Sequence, residues 1–146
     1  MKLTTSSVVP APRDRVFAAL TDPDLLRRVI PGCETLTATG PDVYEATLKI
    51  GIAAMKGTYK GHAAITDKRP PEALTLTFEG KGAPGFVRGT AAIALAEDGA
   101  GTRVSSEADV QVGGLIAAVG SRLVEAASRK LAEDFFGQLS RELGTS

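Results

Sequence analysis

The chain has no tryptophan, one cysteine and one histidine, and its 17 lysines and arginines are balanced by 17 acidic residues. Each scarcity removes a class of function. Zero net charge leaves no basic footprint for nucleic acid. Aromatic residues make up 5% of the chain, too few for a base-stacking platform. Cys33 has no partner for an intrachain disulfide, so the reducing cytoplasm is the default compartment. A structural or catalytic metal needs three or four ligands, and one histidine with one cysteine falls short. No metal, cofactor or nucleic acid is therefore expected. The first residues, Met-Lys-Leu-Thr-Thr-Ser-Ser, lack the apolar run of a signal peptide. No stretch approaches the roughly 20 apolar residues that span a bilayer. The 146 residues suit one domain, residues 1–146, with one core.

What the chain does have is a clear succession of periodic segments. Leu3 to Val9 is a strand. Pro12 opens a helix carrying Val16, Phe17 and Leu20 at helical spacing. Asp22 suits a cap and Pro23 the first position of a second helix, whose stripe is Leu25, Leu26, Val29 and Ile30; Pro31-Gly32 ends it. Glu34 to Thr39 is a short strand. Val43 to Ile52 alternates, with Tyr44, Ala46, Leu48, Ile50 and Ile52 on one face. Residues 57 to 66 repeat the pattern through Tyr59, Gly61, Ala63 and Ile65. Leu74, Leu76 and Phe78 form the next inner row, and Gly80 to Gly85 a flexible break. Val87, Gly89, Ala91, Ile93 and Leu95, then Val104, Ser106, Ala108, Val110 and Val112, complete the inner faces. Glu97 to Gly101 is the hairpin loop between those two strands.

One-sided strands joined by short connections predict an antiparallel sheet with one wet face. From Leu115 to Leu143 no proline interrupts the chain, and Ile116, Val119, Leu123, Ala127, Leu131, Phe135 and Leu139 recur at helical spacing. One strand, two helices, a run of strands and a long helix is the order of an α+β helix-grip fold. A seven-stranded antiparallel sheet would wrap the long C-terminal helix, with two short helices between strands 1 and 2.

The chemistry-bearing residues point away from catalysis. His62 shares the solvent side of its strand with Lys60 and Thr66. Glu45, Glu107 and Asp109 fall on outward rows, where no protected environment would tune a general acid. Cys33 has Arg27 and Arg28 nearby but no histidine to activate it, and reads as a packed thiol. Tyr59 and Ser106 are the main polar residues of the inner rows. No catalytic residue is assigned.

Ala46, Gly61, Ala63, Gly89, Ala91, Ser106 and Ala108 strip the inner rows of bulk. Either the long helix approaches them closely or a cavity remains. For the cavity, the walls would be Leu48, Ile50, Tyr59, Leu76, Phe78, Ala91, Ile93, Ala108, Val110, Val119, Leu123 and Ala127. The mouth would be Phe86, Leu115 and Ile116, beside a lip hinged on Gly80, Gly82 and Gly85. A hairpin that needs positive φ angles explains the same glycines equally well.

Ile30-Pro31-Gly32-Cys33-Glu34, Gly57-Thr58-Tyr59-Lys60-Gly61, Phe78-Glu79-Gly80-Lys81-Gly82 with Gly85-Phe86, and above all the tail Gly113-Gly114-Leu115-Ile116-Ala117-Ala118-Val119-Gly120-Ser121-Arg122-Leu123, with Lys130-Leu131-Ala132-Glu133 and Phe135-Phe136, carry a family likeness. On these residues the chain resembles the carbon monoxide dehydrogenase CoxG family, in the polyketide-cyclase/START-like (SRPBCC) superfamily. The resemblance implies a helix-grip domain with an apolar cavity. It implies an accessory role beside a molybdenum-containing CO dehydrogenase or related hydroxylase, and a link to the membrane. Some members extend beyond the last helix, whereas the sequence here stops at Ser146. The expectation is a transient contact at the inner face of the membrane, without a transmembrane anchor.

The resulting expectation is a non-enzymatic cytoplasmic carrier of an apolar small molecule, of the lipid or isoprenoid quinone class. A cyclase- or hydrolase-like enzyme using the same cavity, and a ligand-free assembly subunit, are the alternatives.

Overall fold

The computed structural model describes residues 1–52 and 55–144. Strand β1 (Lys2–Val9) buries Leu3 and Val9 on one face and leaves Lys2, Thr4, Ser6 and Val8 exposed on the other. Helix α1 (Arg13–Leu20) follows Pro12, which holds an extended conformation, and buries Val16, Phe17, Ala19 and Leu20. Helix α2 (Pro23–Val29) starts as its sequence predicts. The Asp22 carboxylate accepts from the amides of Asp24 at 3.0 Å and Leu25 at 3.4 Å, and Pro23 needs no partner for an N–H.

The remaining strands are β2 (Cys33–Gly40), β3 (Val43–Ile50), β4 (Gly57–Arg69), β5 (Ala73–Gly82), β6 (Gly85–Asp98) and β7 (Gly101–Gly113). They form one seven-stranded sheet in the order β1-β7-β6-β5-β4-β3-β2, antiparallel at each junction. The chain closes with α3 (Leu115–Ala118) and α4 (Ser121–Gly144). This is the helix-grip arrangement, with the two short helices between β1 and β2. At 24 residues, α4 is about 36 Å long and crosses the sheet from end to end.

Two segments differ from the sequence reading. The glycine-rich stretch at 80–85 is no flexible break. β5 runs through Gly82, β6 starts at Gly85, and these two glycines face each other across a tight hairpin. Each has its own reason to be glycine. A Cβ on Gly82 would strike the Thr58 carbonyl, and one on Gly85, at φ +135°, would strike the Gly113 carbonyl. The hairpin tip is also tied down, since the Ile116 amide donates to the Pro84 carbonyl at 2.8 Å.

The second difference is in the last helix, which is not continuous from Leu115. Gly120 takes φ +97°, a conformation open to glycine at little cost, and separates α3 from α4. Beyond the break the expected stripe holds at Ala127 and Leu139, which are buried, and at Leu131 and Phe135, which pack against the core, but Val124 opens it. One residue step turns a helix by about 100°. Val124 therefore points inward where Leu123 was expected to, and Leu123 is 56% exposed.

The core falls into two clusters. One joins α1, Tyr44, Ile65, Leu74, Leu95 and Val104 to Leu139 and Leu143 at the C-terminal end of α4. The other joins Ile50, Met55, Tyr59 and Ile116 to Val124 and Ala127 at its N-terminal end. Arg28 adds an ion pair to Glu142 at 2.9 Å. That pair is half exposed and contributes little beside the apolar contacts. Leu139→Ala should cost about 2–5 kcal/mol in urea unfolding, because it empties a fully buried site. Leu123→Ala should change stability by less than about 0.5 kcal/mol. Comparable costs at the two positions would return Leu123 to the inward stripe expected from the sequence.

Candidate ligand site between sheet and helix

Register brings the small inner residues together. Ala46, Gly61 and Gly80 lie side by side on β3, β4 and β5. Ala63, Phe78, Gly89 and Val110 form the next row, and Ile65, Leu76, Ala91 and Ala108 the one after. The patch therefore occupies the middle of the concave face. The backbone of α4 approaches β1 and α2 rather than the central strands. Close approach of the helix is thus not what the small residues serve.

Two of the glycines have a local cause. A Cβ on Gly61 would strike the Glu79 carbonyl of the neighbouring strand. One on Gly89 would lie 2.7 Å from the Asp109 carbonyl and 2.8 Å from the Phe78 ring. Gly80 has no such neighbour; a Cβ there would meet only the Tyr59 Cβ, at 4.0 Å. Ala46, Ala63, Ser106 and Ala108 are only half-buried on the inner face. Leu48, Leu76, Ile93, Leu131 and Phe135 are likewise only partly buried, each packed against one of the two clusters. These partly buried side chains leave apolar surface accessible on the inner face beside the two clusters.

The expected wall residues divide accordingly. Ile50, Tyr59, Ala91, Val110 and Ala127 are buried. Leu48, Leu76, Phe78, Ile93 and Ala108 are half-buried on the inner rows. Val119 and Leu123 do not belong with them. They are 39% and 56% exposed, since the break at Gly120 turns them outward. The three mouth residues are not brought together. Ile116 is fully buried among Met55, Tyr59, Val124 and Ala127, whereas Leu115 is 71% exposed. Phe86 lies within β6 next to inward-facing Val87, so alternation places it on the outer face. There its ring covers Gly113, with the Arg88 guanidinium 5.5 Å from its centroid.

Met55 and Val124 were not foreseen as part of this interior. Met55 follows a stretch without periodicity. Val124 could have been found by treating Gly120 as a helix break.

The two tyrosine hydroxyls at the interior are tied to backbone. The Tyr59 hydroxyl donates to the Met55 carbonyl at 2.7 Å, and burial pushes its pKa up. Tyr44 donates to the Thr21 carbonyl at 3.5 Å, and burial, then the charge of Asp42, raise its pKa as well. Cys33 is half-buried with Sγ 3.4 Å from the Thr35 carbonyl. Burial raises its pKa against the opposing pull of Arg27, which keeps the thiol protonated and weakly nucleophilic. His62 is exposed on the outer face, between Glu45 and Glu79 in register. Among the described residues no group of three or more histidine, cysteine, aspartate or glutamate side chains could hold a metal ion. No helix among them is long and apolar enough to cross a membrane.

The family model for the CoxG component of carbon monoxide dehydrogenase matches residues 6–144. The chain belongs to the CoxG family. Among solved structures, a conserved protein from Geobacillus kaustophilus is similar over 100% of this chain and 97% of its own, with 34% identity and a TM-score of 0.96. A START superfamily protein from Mycobacterium smegmatis matches 99% of this CoxG-family chain and 97% of its own, with 11% identity and a TM-score of 0.72. Ara h 8.0201 matches 100% and 99% of the two chains, with 13% identity and a TM-score of 0.72. At these low identities the last two establish the START-like fold alone. No curated protein matches the chain.

The state of Cys33 is open to direct measurement. Iodoacetamide at pH 8 should modify it several-fold more slowly in the folded protein than in urea, since the raised pKa lowers the thiolate fraction. Equal rates, followed by intact-mass spectrometry, would show that burial does not protect it.

Proposed function

We propose that this CoxG-family chain acts as a single START-like domain, residues 1–146, that carries an apolar or amphipathic small molecule without catalysis. The supporting observation is the half-buried apolar surface at mid-sheet, beneath a helix held at its two ends. A lipid or isoprenoid quinone is the ligand class. Family membership supports an accessory role beside a molybdenum-containing CO dehydrogenase or related hydroxylase. Such an enzyme is soluble, whereas a respiratory quinone is confined to the bilayer by its tail. A carrier would shield that tail from water, worth about 25 cal/mol per Å² of apolar surface. The tyrosine hydroxyls nearest the interior are held by backbone carbonyls, which lends the enzyme alternative no support.

Loading from a bilayer requires contact with it. Leu115, Val119 and Leu123 are exposed apolar side chains on either side of the α3–α4 junction, and Arg122 lies within the same segment. Apolar side chains beside a cation suit a transient contact with an anionic membrane surface, with the protein otherwise cytoplasmic.

Ala108→Phe should fill the mid-sheet space and abolish binding of N-phenyl-1-naphthylamine, an uncharged fluorescent probe, while the far-UV circular dichroism stays native. Overpacking costs about 1–3 kcal/mol, so stability must be measured alongside. Binding that survives in the folded variant would place the pocket elsewhere. Leu115→Asp with Leu123→Asp should lower co-sedimentation with vesicles containing anionic lipid and leave probe binding intact. Undiminished co-sedimentation would remove the junction from the membrane contact.

A further inference from the structure

The gap between the free edge of β1 and α4 is an open groove of ≈ 400 Å³. Thr4, Thr5, Ser6 and Ser7 line it from the strand, and Arg129, Ala132, Glu133, Phe136, Gly137 and Ser140 from the helix. Its lining includes residues of the inner face. Thr5 and Ser7 share the inner row of β1 with buried Leu3 and Val9, and Phe136 packs against the larger core cluster. Thr5 faces Ser106 across to β7, beside Ala108 of the small-residue patch. The groove is thus a polar vestibule adjoining the apolar interior.

Its chemistry is specific. Met1 and Val110 exchange both backbone hydrogen bonds, at 2.8 and 2.9 Å. By antiparallel alternation, the amides and carbonyls of Thr4 and Ser6 then turn toward the free edge. The Thr4 carbonyl accepts from the Arg129 guanidinium at 3.2 Å. Arg129 is also paired with Glu125 at 3.0 Å, and Glu133 adds a carboxylate to the lining. The groove offers hydroxyls and backbone donors and acceptors, but the cations around it are engaged: Arg129 with Glu125, Arg103 with Asp98 and the Ser6 hydroxyl, and Arg141, beside Gly137, with a partner of its own. An anionic head would meet Glu133 without an unspent positive charge among the lining residues. An uncharged head that both donates and accepts hydrogen bonds fits.

We propose that the β1–α4 groove seats the uncharged, hydrogen-bonding head of an amphipathic ligand whose apolar part occupies the mid-sheet interior. The proposal rests on the carrier reading above and adds the head's position, its charge and the side of the molecule on which it is held. Gly137 is the position at which to close the groove. A Cβ there meets only the Arg141 guanidinium, at 3.8 and 4.0 Å, so a larger side chain has room on the helix.

The test is competition against N-phenyl-1-naphthylamine bound in the interior, with dodecanol and dodecyl phosphate as matched-chain competitors. Wild type should bind dodecanol about tenfold more tightly than dodecyl phosphate, the worth of one satisfied head contact. Gly137→Leu should weaken dodecanol by about tenfold and leave the affinity for the naphthylamine unchanged. Thr5→Val, which removes one hydroxyl with little change of shape, should act in the same direction and serves if Gly137→Leu does not fold. Dodecanol binding unaffected by either folded variant would overturn the groove as the head site while leaving the interior pocket standing. Equal or tighter binding of dodecyl phosphate would overturn the uncharged head. No binding of the naphthylamine by wild type would overturn the carrier reading itself.

Discussion

The architecture depends on how α4 is held. Its C-terminal end is fixed by Leu139 and Leu143 against α1 and Tyr44, Ile65, Leu74, Leu95 and Val104 of the sheet, and its N-terminal end by Val124 and Ala127 against Ile116, Tyr59 and Met55. Both contacts are apolar and well buried, and together they suspend a 24-residue rod across a curved sheet. Between them Leu131 and Phe135 pack against the two clusters and stay only partly buried. Interiors otherwise pack to crystal density. A helix held at its ends above residues as small as Ala46, Gly80 and Ala108 leaves apolar surface accessible without unfolding anything.

The sheet contributes through its glycines in a way that is easy to misread. Gly61 and Gly89 are small because a neighbouring carbonyl or the Phe78 ring occupies the place of their side chains. They serve the curvature and packing of the sheet, whereas Gly80 and the half-buried alanines leave room. The hairpin at Ala83-Pro84 is held through the Pro84 carbonyl to α3.

Polarity is distributed unevenly around the interior. The β4–β5–β6 wall is apolar or small, and the tyrosines near it spend their hydroxyls on carbonyls of their own chain. The β1 side carries Thr5, Ser7 and Ser106, and opens beside Arg129 and Glu133. An edge strand alone can offer spare backbone groups without leaving a buried partner unsatisfied, because those groups border solvent.

The order of the strands, their parities and the starts of the first two helices were legible in the residues alone. They rest on local rules: alternation, which put Tyr59, Ala91, Ala108 and Val110 on the inner face, and capping, which placed Asp22 and Pro23. The family was legible too, through motifs that run in order along the chain. The break in the last helix and the inward position of its first turn were not, because Gly120 could have continued the helix or broken it, and the tertiary structure made the choice. That choice moved Val119 and Leu123 out of the interior and put Val124 in. Phe86 was settled in the same way, since its side follows the parity of β6 once the hairpin shortens to two residues. The β1–α4 groove lay beyond any local pattern. Its walls are more than 120 residues apart, and nothing in Thr4–Ser7 or Arg129–Ser140 alone announces that a strand edge and a helix face will meet.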